Sequence, residues 1–201
     1  MTESNAKRVG GLLLAAGGSR RLGSPKQLLE FEGKTLLRRA AEALVECGCI
    51  PVVVVLGAEI EGSKAEMKEL NVTTVVNDNW ESGMSSSIRI GLANLLSLEP
   101  EIDALMITLC DQPFVTAAKI RLFINEFDRN KVAIIAAKYK DVLGVPALFS
   151  RELFNAVLNL QGDKGARDLI RQTETAIAIE LPEASFDIDT WEDLESLVAP
   201  T

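Results

Sequence analysis

Short apolar runs alternate with helical patterns along most of the chain. Runs such as PVVVVL (Pro51–Leu56) are rich in β-branched residues and predict buried strands. Between them, stretches such as Thr35–Cys47 carry leucine and alanine at helical spacing. The predicted strands are Val9–Leu14, Pro51–Leu56, Val72–Val76, Ala104–Leu109, Val132–Ala137 and Ala176–Leu181. The predicted helices are Thr35–Cys47, Ile60–Leu70, Ser85–Leu96 and Ala117–Phe127, with two more that begin at Arg151 and Trp191.

This alternation predicts right-handed βαβ units and a mostly parallel sheet with helices on both faces. The chain of 201 residues shows no repeat, linker or low-complexity tract, so we expect one α/β domain over residues 1–201, Rossmann-like and three-layered. In such sheets, ligands bind beyond the carboxyl ends of the strands. The loops after Leu14, Val76, Leu109 and Ala137 are therefore the candidate site.

Composition narrows the classes of function. The net charge of −8 argues against a general binder of nucleic acid or of anionic membranes. The chain contains no histidine, which removes the usual general base, histidine-containing triads and most zinc sites. We see neither a signal peptide in MTESNAKR nor an apolar run of membrane length, so we expect a cytoplasmic protein whose three cysteines are reduced.

The loop after the first strand has the features of an anion site. It reads LLLAAGGSRRLGSPKQLL from residue 12. The small residues Ala15 to Gly18 let a ligand approach the backbone N–H groups, and glycine permits the positive φ that such loops often need. Arg20, Arg21 and Lys26 add full positive charges. Neither a Walker A sequence nor G-x-G-x-x-G is present, so we interpret the loop as another type of phosphate site.

Two further loops at strand ends carry polar residues. Asp111, in LCDQP, follows the strand ALMITL, and a carboxylate there suits either Mg²⁺ or the start of the next helix. In NDNWESGMSSSIRIGL, Gly83 and the serines open a helix whose N–H groups and hydroxyls are available to a ligand or to ordinary capping. Beside the first loop, we favour the metal interpretation of Asp111.

The opening loop resembles a family signature. L-A-A-G-G-S-R-R-L-G-S-P-K is similar to L-A-(A/G)-G-x-S-x-R-(M/L)-G-x-x-K of the nucleotidyltransferases that act on the molybdenum cofactor, with Gly17, Ser19, Arg21, Gly23 and Lys26 in matching positions. The resemblance implies a nucleotide-diphospho-sugar-transferase-like fold and a loop that wraps the triphosphate of an NTP. It implies that Arg21 and Lys26 neutralise charge at the α-phosphate and the leaving pyrophosphate. The nucleotide-binding residues that it implies are Leu14, Ala15, Ala16, Gly17, Gly18, Ser19, Arg21, Lys26, Gly83 and Ser87.

Other segments extend the resemblance to about Val198. The family places its magnesium aspartate in a D-x-P segment, which supports Asp111 as the metal ligand. FDIDTWEDL resembles the family's D-(I/V)-D-T-P-E-D-L, in which one of Asp187 and Asp189 completes the metal shell, and we prefer Asp189. GVP and GDKGAR resemble segments on the acceptor side of the cytidylyl-transferring branch. The acceptor-binding candidates are Gly144, Pro146, Lys164, Gly165 and Arg167.

Trp191 departs from the family pattern, because the family usually has proline there. Thr190 and Asp193 still have the spacing of a helix capping box. We therefore expect the departure to leave the metal site intact.

The resemblance implies that an acceptor phosphate attacks the α-phosphorus of an NTP with Mg²⁺ present, and that pyrophosphate leaves. The implied acceptor is molybdopterin, with a molybdoenzyme or its maturation factor as a candidate partner. Cytidylyl-transferring members tend to have L-A-A-G where guanylyl-transferring members have L-A-G-G. A methyl group at Ala16 also narrows the space for a purine, so we predict CTP rather than GTP.

Other readings of the sequence stay open. They are guanylyl transfer, nucleotidyl transfer to a sugar or polyol phosphate, and a non-catalytic chaperone of the molybdenum cofactor. Arg21, Lys26 and Asp111 argue against the chaperone, since a protein that only binds the cofactor has no need to keep them.

Overall fold

The computed structural model describes residues 7–19, 22–163, 165–173, 175–188, 190, 192 and 193. In this part of the chain the strands are β1 (Val9–Ala15), β2 (Glu30–Phe31), β3 (Lys34–Thr35), β4 (Val52–Leu56), β5 (Thr73–Val76), β6 (Ala104–Leu109), β7 (Ile134–Tyr139), β8 (Val142–Ser150) and β9 (Ile177–Glu180). The helices are α1 (Leu36–Glu46), α2 (Glu61–Glu66), α3 (Met84–Leu98), α4 (Ala117–Arg129), α5 (Phe154–Leu158) and α6 (Arg167–Gln172). Short 3-10 turns cover Lys26–Leu28, Trp80–Ser82, Arg151–Leu153 and Pro182–Ser185.

A seven-stranded sheet in the order β5-β4-β1-β6-β8-β7-β9 forms the middle layer. The neighbours from β5 to β6 are parallel, and so are β7 and β9, whereas β8 is antiparallel to both β6 and β7. Successive residues of β1 point to opposite faces: Leu13 joins a core cluster with α1 and α4, and Leu12 joins one with α3 and α5. The mostly parallel three-layer α/β/α fold is thereby confirmed.

Most of the predicted elements lie within two residues of their observed bounds. Helix α1 starts one residue after the predicted start because Thr35 is its N-cap, whose hydroxyl accepts a hydrogen bond from the N–H of Arg38. The helix predicted at Ile60–Leu70 was too long, since α2 ends at Glu66. The final helix, predicted from Trp191, falls largely outside the described residues.

Strand β8 was not predicted, because GVPALF carries a proline and lacks a clear alternating pattern. The pairing of β7 with β8 shifts between Ala136 and Ala137, whose partners are Ala147 and Gly144. Val145 and Pro146 form a bulge between these partners, so the missing N–H of proline interrupts no regular ladder bond. Gly144 and Val145, at this bulge, line a cavity at the candidate site.

Among the described residues, no helix is both long enough and apolar enough to cross a bilayer.

Candidate active site

The loop that follows β1 is held from beneath by a buried glutamine. The side-chain amide of Gln27, 1% exposed, donates hydrogen bonds to the carbonyls of Ala15 (2.9 Å) and Gly17 (2.7 Å). The hydroxyl of Ser19 accepts a hydrogen bond from the backbone N–H of Lys26 at 2.8 Å. The same hydroxyl lies 3.4 Å from the side-chain oxygen Oε1 of Gln27. The loop therefore folds back onto the turn that carries Lys26.

Gly17 and Gly18 do not supply the positive φ angles that the sequence suggested for this loop. The positive φ angles occur at Ser19 (φ 47°) and Gly23 (φ 67°), whereas Gly17 and Gly18 have ordinary φ. A Cβ added to Gly17 would meet nothing within 4 Å, but one added to Gly18 would lie 2.7 Å from the indole of Trp80. These two positions therefore need glycine for space and not for backbone conformation. Gly17 leaves open space beside the loop, and Gly18 leaves room for the indole of Trp80.

Lys26 and Asp111 meet across the carboxyl ends of the parallel strands. Lys26 Nζ lies 2.5 Å from Asp111 Oδ2, and the two side chains are only 17% and 14% exposed. Asp111 Oδ1 is buried and has no hydrogen-bond partner. Asp111 thus combines a cation on one oxygen with an unused oxygen on the other.

This pair lies in a cavity of about 320 Å³, which we call the first cavity. Leu14, Ala15, Ala16, Gly17, Lys26, Gln27, Trp80, Met84, Ser87, Leu109, Cys110, Asp111 and Asp163 line it. Seven of the residues predicted from the sequence are among them. Gly18 and Ser19 line a smaller neighbouring cavity of about 230 Å³ on the outer side of the same loop.

The N-terminus of α3 packs against the loop at Gly162 and Asp163. Asn77, 5% exposed, donates through its side-chain amide to the hydroxyls of Ser86 (2.8 Å) and Ser87 (2.9 Å). The N–H of Ser85 donates to the carbonyl of Gly162, and a Cβ at Gly83 would lie 2.3 Å from Asp163 Oδ1. Gly83 is therefore a packing glycine beneath this loop, and Ser87 is the predicted residue of this segment that lines the first cavity.

A second cavity, of about 240 Å³, adjoins the first, and Met84, Leu109 and Asp163 line both. Gly144 and Arg167, two acceptor-binding candidates, line the second cavity together with Gln112, Tyr139, Val145, Ala166, Ile170 and Asp187. Pro146 and Gly165 do not line it: Pro146 is buried in the β8 bulge, and Gly165 packs against Met84. Shared walls would let ligands in the two cavities meet.

Tyr139 and Gln112 shape the second cavity. The hydroxyl of Tyr139 donates to the carbonyl of Val145 at 3.1 Å, and a Cβ at Gly144 would lie 2.5 Å from that hydroxyl. Burial raises the pKa of Tyr139, and the charges of Asp187 and Asp111 raise it further. Tyr139 is therefore neutral at physiological pH.

The side-chain amide of Gln112 donates to the carbonyl of Ala184 at 2.8 Å.

The C-terminal segment reaches the site through a backbone contact. The N–H of Ile188 donates to the carbonyl of Asp111 at 3.0 Å, and Ile188 is buried. Its neighbour Asp187 is exposed at the second cavity. Thr190 and Asp193 form the predicted capping box, with reciprocal bonds of 2.8 and 3.2 Å.

Three predicted residues, Arg21, Lys164 and Asp189, lie outside the described residues. Within the described ranges no cluster of three or more carboxylates or thiols could hold a metal. Mg²⁺ does not require such a cluster, since it commonly binds one or two carboxylates together with substrate phosphates. The unpartnered Oδ1 of Asp111 fits that requirement.

Several site residues were not predicted. Gln27, Trp80 and Asp163 stood inside quoted motifs, yet nothing local marked them, because their roles come from contacts distant in sequence. Gln112 offered a weak signal, since a glutamine next to Asp111 at a strand end points to the same edge of the sheet. Tyr139 is the one tyrosine of the sequence and lies in the strand before the unpredicted β8.

A loop of small residues, a lysine–aspartate pair and paired cavities lie together at the carboxyl edge of the parallel sheet, where α/β proteins of this class bind nucleotides. Comparison with known proteins agrees. Residues 11–177 match the model of the MobA-like NTP transferase domain. The chain belongs to that family.

Relatives of known description fall into two groups. The chain is 33% identical to nicotine blue oxidoreductase of Paenarthrobacter nicotinovorans, over 98% of this chain and all of that protein. It is 30% identical to a probable molybdenum cofactor guanylyltransferase of Bacillus cytotoxicus, over 64% of this chain and 62% of that protein.

Solved structures share the whole fold. Rv0371c of Mycobacterium tuberculosis is 30% identical, with a TM-score of 0.83 over 96% of this chain and 98% of that one. The same protein has also been solved in complex with manganese, with a TM-score of 0.77 to this chain. A divalent metal therefore occurs in the family.

Proposed function

We propose that the protein transfers CMP from CTP to the phosphate of molybdopterin and releases pyrophosphate. The Lys26–Asp111 pair beside the loop after β1 carries this proposal. A lysine there supplies positive charge to a triphosphate, and a carboxylate with an unused buried oxygen suits a hard cation. A protein that only carried the cofactor would need neither.

The proposed mechanism rests on positioning and charge. The loop over Ala15 to Gly18 receives the triphosphate, and Lys26 offsets charge at the α-phosphate and the leaving pyrophosphate. Arg21 is proposed for the same task. Asp111 would hold Mg²⁺ together with Asp189, and the ion would offset the negative charge of the phosphates. No histidine is needed, because the attacking group is already an anionic phosphate.

The second cavity is the proposed acceptor site. It adjoins the first cavity along Met84, Leu109 and Asp163, so an acceptor phosphate there would lie next to the nucleotide. Arg167 supplies a positive charge at its wall. We include Lys164 in the same proposed role.

The base preference rests on Ala16. Its side chain is 7% exposed at the first cavity, and its carbonyl accepts the N–H of Ala58, which holds the methyl group in place. A pyrimidine needs less room beside this methyl group than a purine does. The relatives named guanylyltransferases make GTP the alternative.

The decisive experiment measures pyrophosphate release with CTP, GTP, ATP and UTP, each with molybdopterin or a sugar phosphate, in the presence of Mg²⁺. We expect release with CTP and molybdopterin, with a preference over GTP of about ten- to a hundredfold, because one unmatched buried hydrogen-bond group costs about 1–3 kcal/mol. Ala16→Gly should reduce that preference. Faster release with GTP by the unmodified protein would assign guanylyl transfer instead.

The full-length relative named nicotine blue oxidoreductase supplies a second candidate activity. The same preparation is therefore assayed for reduction of nicotine blue by a reduced nicotinamide cofactor. Dye reduction without any NTP-dependent pyrophosphate release would replace the transferase proposal with that activity.

A further inference from the structure

Gln27 connects the phosphate loop to the body of the protein. Its amide nitrogen donates to the carbonyls of Ala15 and Gly17, on either side of Ala16. The carbonyl of Ala16 accepts the N–H of Ala58 at 3.1 Å. Three consecutive carbonyls of the loop are therefore bound by donors of the protein itself.

This arrangement has an electrostatic consequence. A carbonyl oxygen that pointed into the first cavity would repel a phosphate and would leave fewer N–H groups to bind it. Gln27 is the only residue among the described ones whose side chain binds two of these carbonyls. It is almost fully buried, and the side chain can reach both oxygens without exposing itself to solvent.

The same residue also sets the position of Lys26. Gln27 follows Lys26 in the turn Lys26–Leu28. The side-chain oxygen Oε1 of Gln27 lies 3.4 Å from the Ser19 hydroxyl, and that hydroxyl accepts a hydrogen bond from the backbone N–H of Lys26. The side chains of Gln27, Ser19 and Lys26 thereby link the loop to Asp111 at the edge of the sheet.

We propose that Gln27 is a positioning residue of the nucleotide site, which turns the carbonyls of the loop away from the triphosphate and sets Lys26 against it. It acts through the loop and touches no reacting atom. The proposal rests on the proposed function, since it presumes that the loop binds an NTP.

The test compares Gln27→Glu and Gln27→Met with the unmodified protein. Glutamate keeps the size but places a carboxylate against two carbonyl oxygens, and methionine keeps the length but removes the donor. We expect the affinity for CTP, measured by calorimetry with Mg²⁺, to fall about ten- to a hundredfold in both variants. The affinity for CMP should change less than about threefold, because CMP lacks the β- and γ-phosphates that the loop and Lys26 would bind.

Leu44→Ala is the matched control for lost stability. Leu44 is fully buried in α1 and packs near Gly11, away from the carboxyl end of β1. This control should lower the melting temperature and leave the affinities for CTP and CMP unchanged. Equal loss of CTP and CMP binding in the Gln27 variants, or unchanged CTP binding, would overturn the positioning role.

Hydrogen exchange on the unmodified protein provides a second measurement that does not depend on how the variants fold. The amides of Ala58 and Lys26, which donate to the Ala16 carbonyl and the Ser19 hydroxyl, should be protected before CTP is added, because Gln27 already orders the loop. Free exchange that becomes protected only with CTP would show that the ligand orders the loop and would overturn the proposal. If the unmodified protein binds no NTP at all, the proposed function fails instead.

Discussion

The two carboxylate oxygens of Asp111 have different surroundings. Oδ2 contacts Lys26, and Oδ1 has no hydrogen-bond partner. Asp111→Asn keeps the shape of the side chain but removes the charge that would hold Mg²⁺. We expect loss of pyrophosphate release with an unchanged circular dichroism spectrum. Asp128→Asn, at an exposed position of α4, is the control that should stay active. Near-normal release by Asp111→Asn would show that the metal lies elsewhere.

Lys26 is the second residue whose charge matters more for catalysis than for folding. It is partly exposed and lies at the start of a turn, so its removal creates no large core cavity. We predict that Lys26→Ala lowers kcat/KM by about two to four orders of magnitude, as expected for a lost electrostatic stabiliser. Lys64→Ala, on the surface of α2, should change it little. An effect of Lys26→Ala below about threefold would place Lys26 outside the reacting complex.

At the scale of elements, glycines at the edge of the sheet serve two different purposes. Gly17 faces open space at the first cavity, whereas Gly83 has φ 108° and lies beneath Gly162 and Asp163 at the start of α3. Gly17→Ala should therefore leave the free energy of unfolding within about 0.5 kcal/mol and weaken CTP binding, because the methyl group would occupy ligand space. Gly83→Ala should cost about 1–3 kcal/mol of stability.

Urea unfolding and CTP titration of both variants test this contrast. A destabilised Gly17→Ala would mean that the loop needs glycine for its own conformation. A fully stable Gly83→Ala would mean that the Gly162–Asp163 loop does not press on α3. Either result would change which segment we regard as the wall between the two cavities.

At the scale of the whole molecule, the fold controls the reactivity of its thiols. Cys47, Cys49 and Cys110 are buried and unbridged. A hydrogen bond with Cys49 lowers the pKa of Cys47, whereas the same contact together with burial raises the pKa of Cys49. Burial raises the pKa of Cys110 to about 12. Thiolate, the reactive form, is therefore most available at Cys47.

We predict that iodoacetamide modifies Cys47 first in the folded protein, and that its rate rises at lower pH than for an ordinary thiol, because the lowered pKa lets this thiol ionise earlier. Peptide mass spectrometry after timed alkylation measures the order. Cys47→Ser should remove the early product without changing the labelling of Cys110. Initial modification of Cys110 would contradict the ranking of these environments.

Much of the fold follows from local pattern. The apolar runs at Val9–Leu14 and Ala104–Leu109 predict strands with both faces covered, since each residue of the run needs burial. The small residues and cations after Leu14 indicate an anion site, because no other common ligand suits that combination so close to a buried strand. The parallel sheet, the loop edge that holds the site, and Lys26 and Asp111 could therefore be predicted from the sequence.

Other features depend on contacts between segments that are distant along the chain. Strand β8 runs antiparallel between β6 and β7. Its bulge at Pro146 interrupts the alternation of side chains that would otherwise predict a strand. Gln27 binds the carbonyls of Ala15 and Gly17 through hydrogen bonds. Asp163 packs against Gly83 at the start of α3. Residue type and spacing determined at which edge of the sheet the candidate site lies. Only the tertiary structure decided which side chains hold its loops in place, because hydrogen bonds and packing between distant segments leave no period in the sequence.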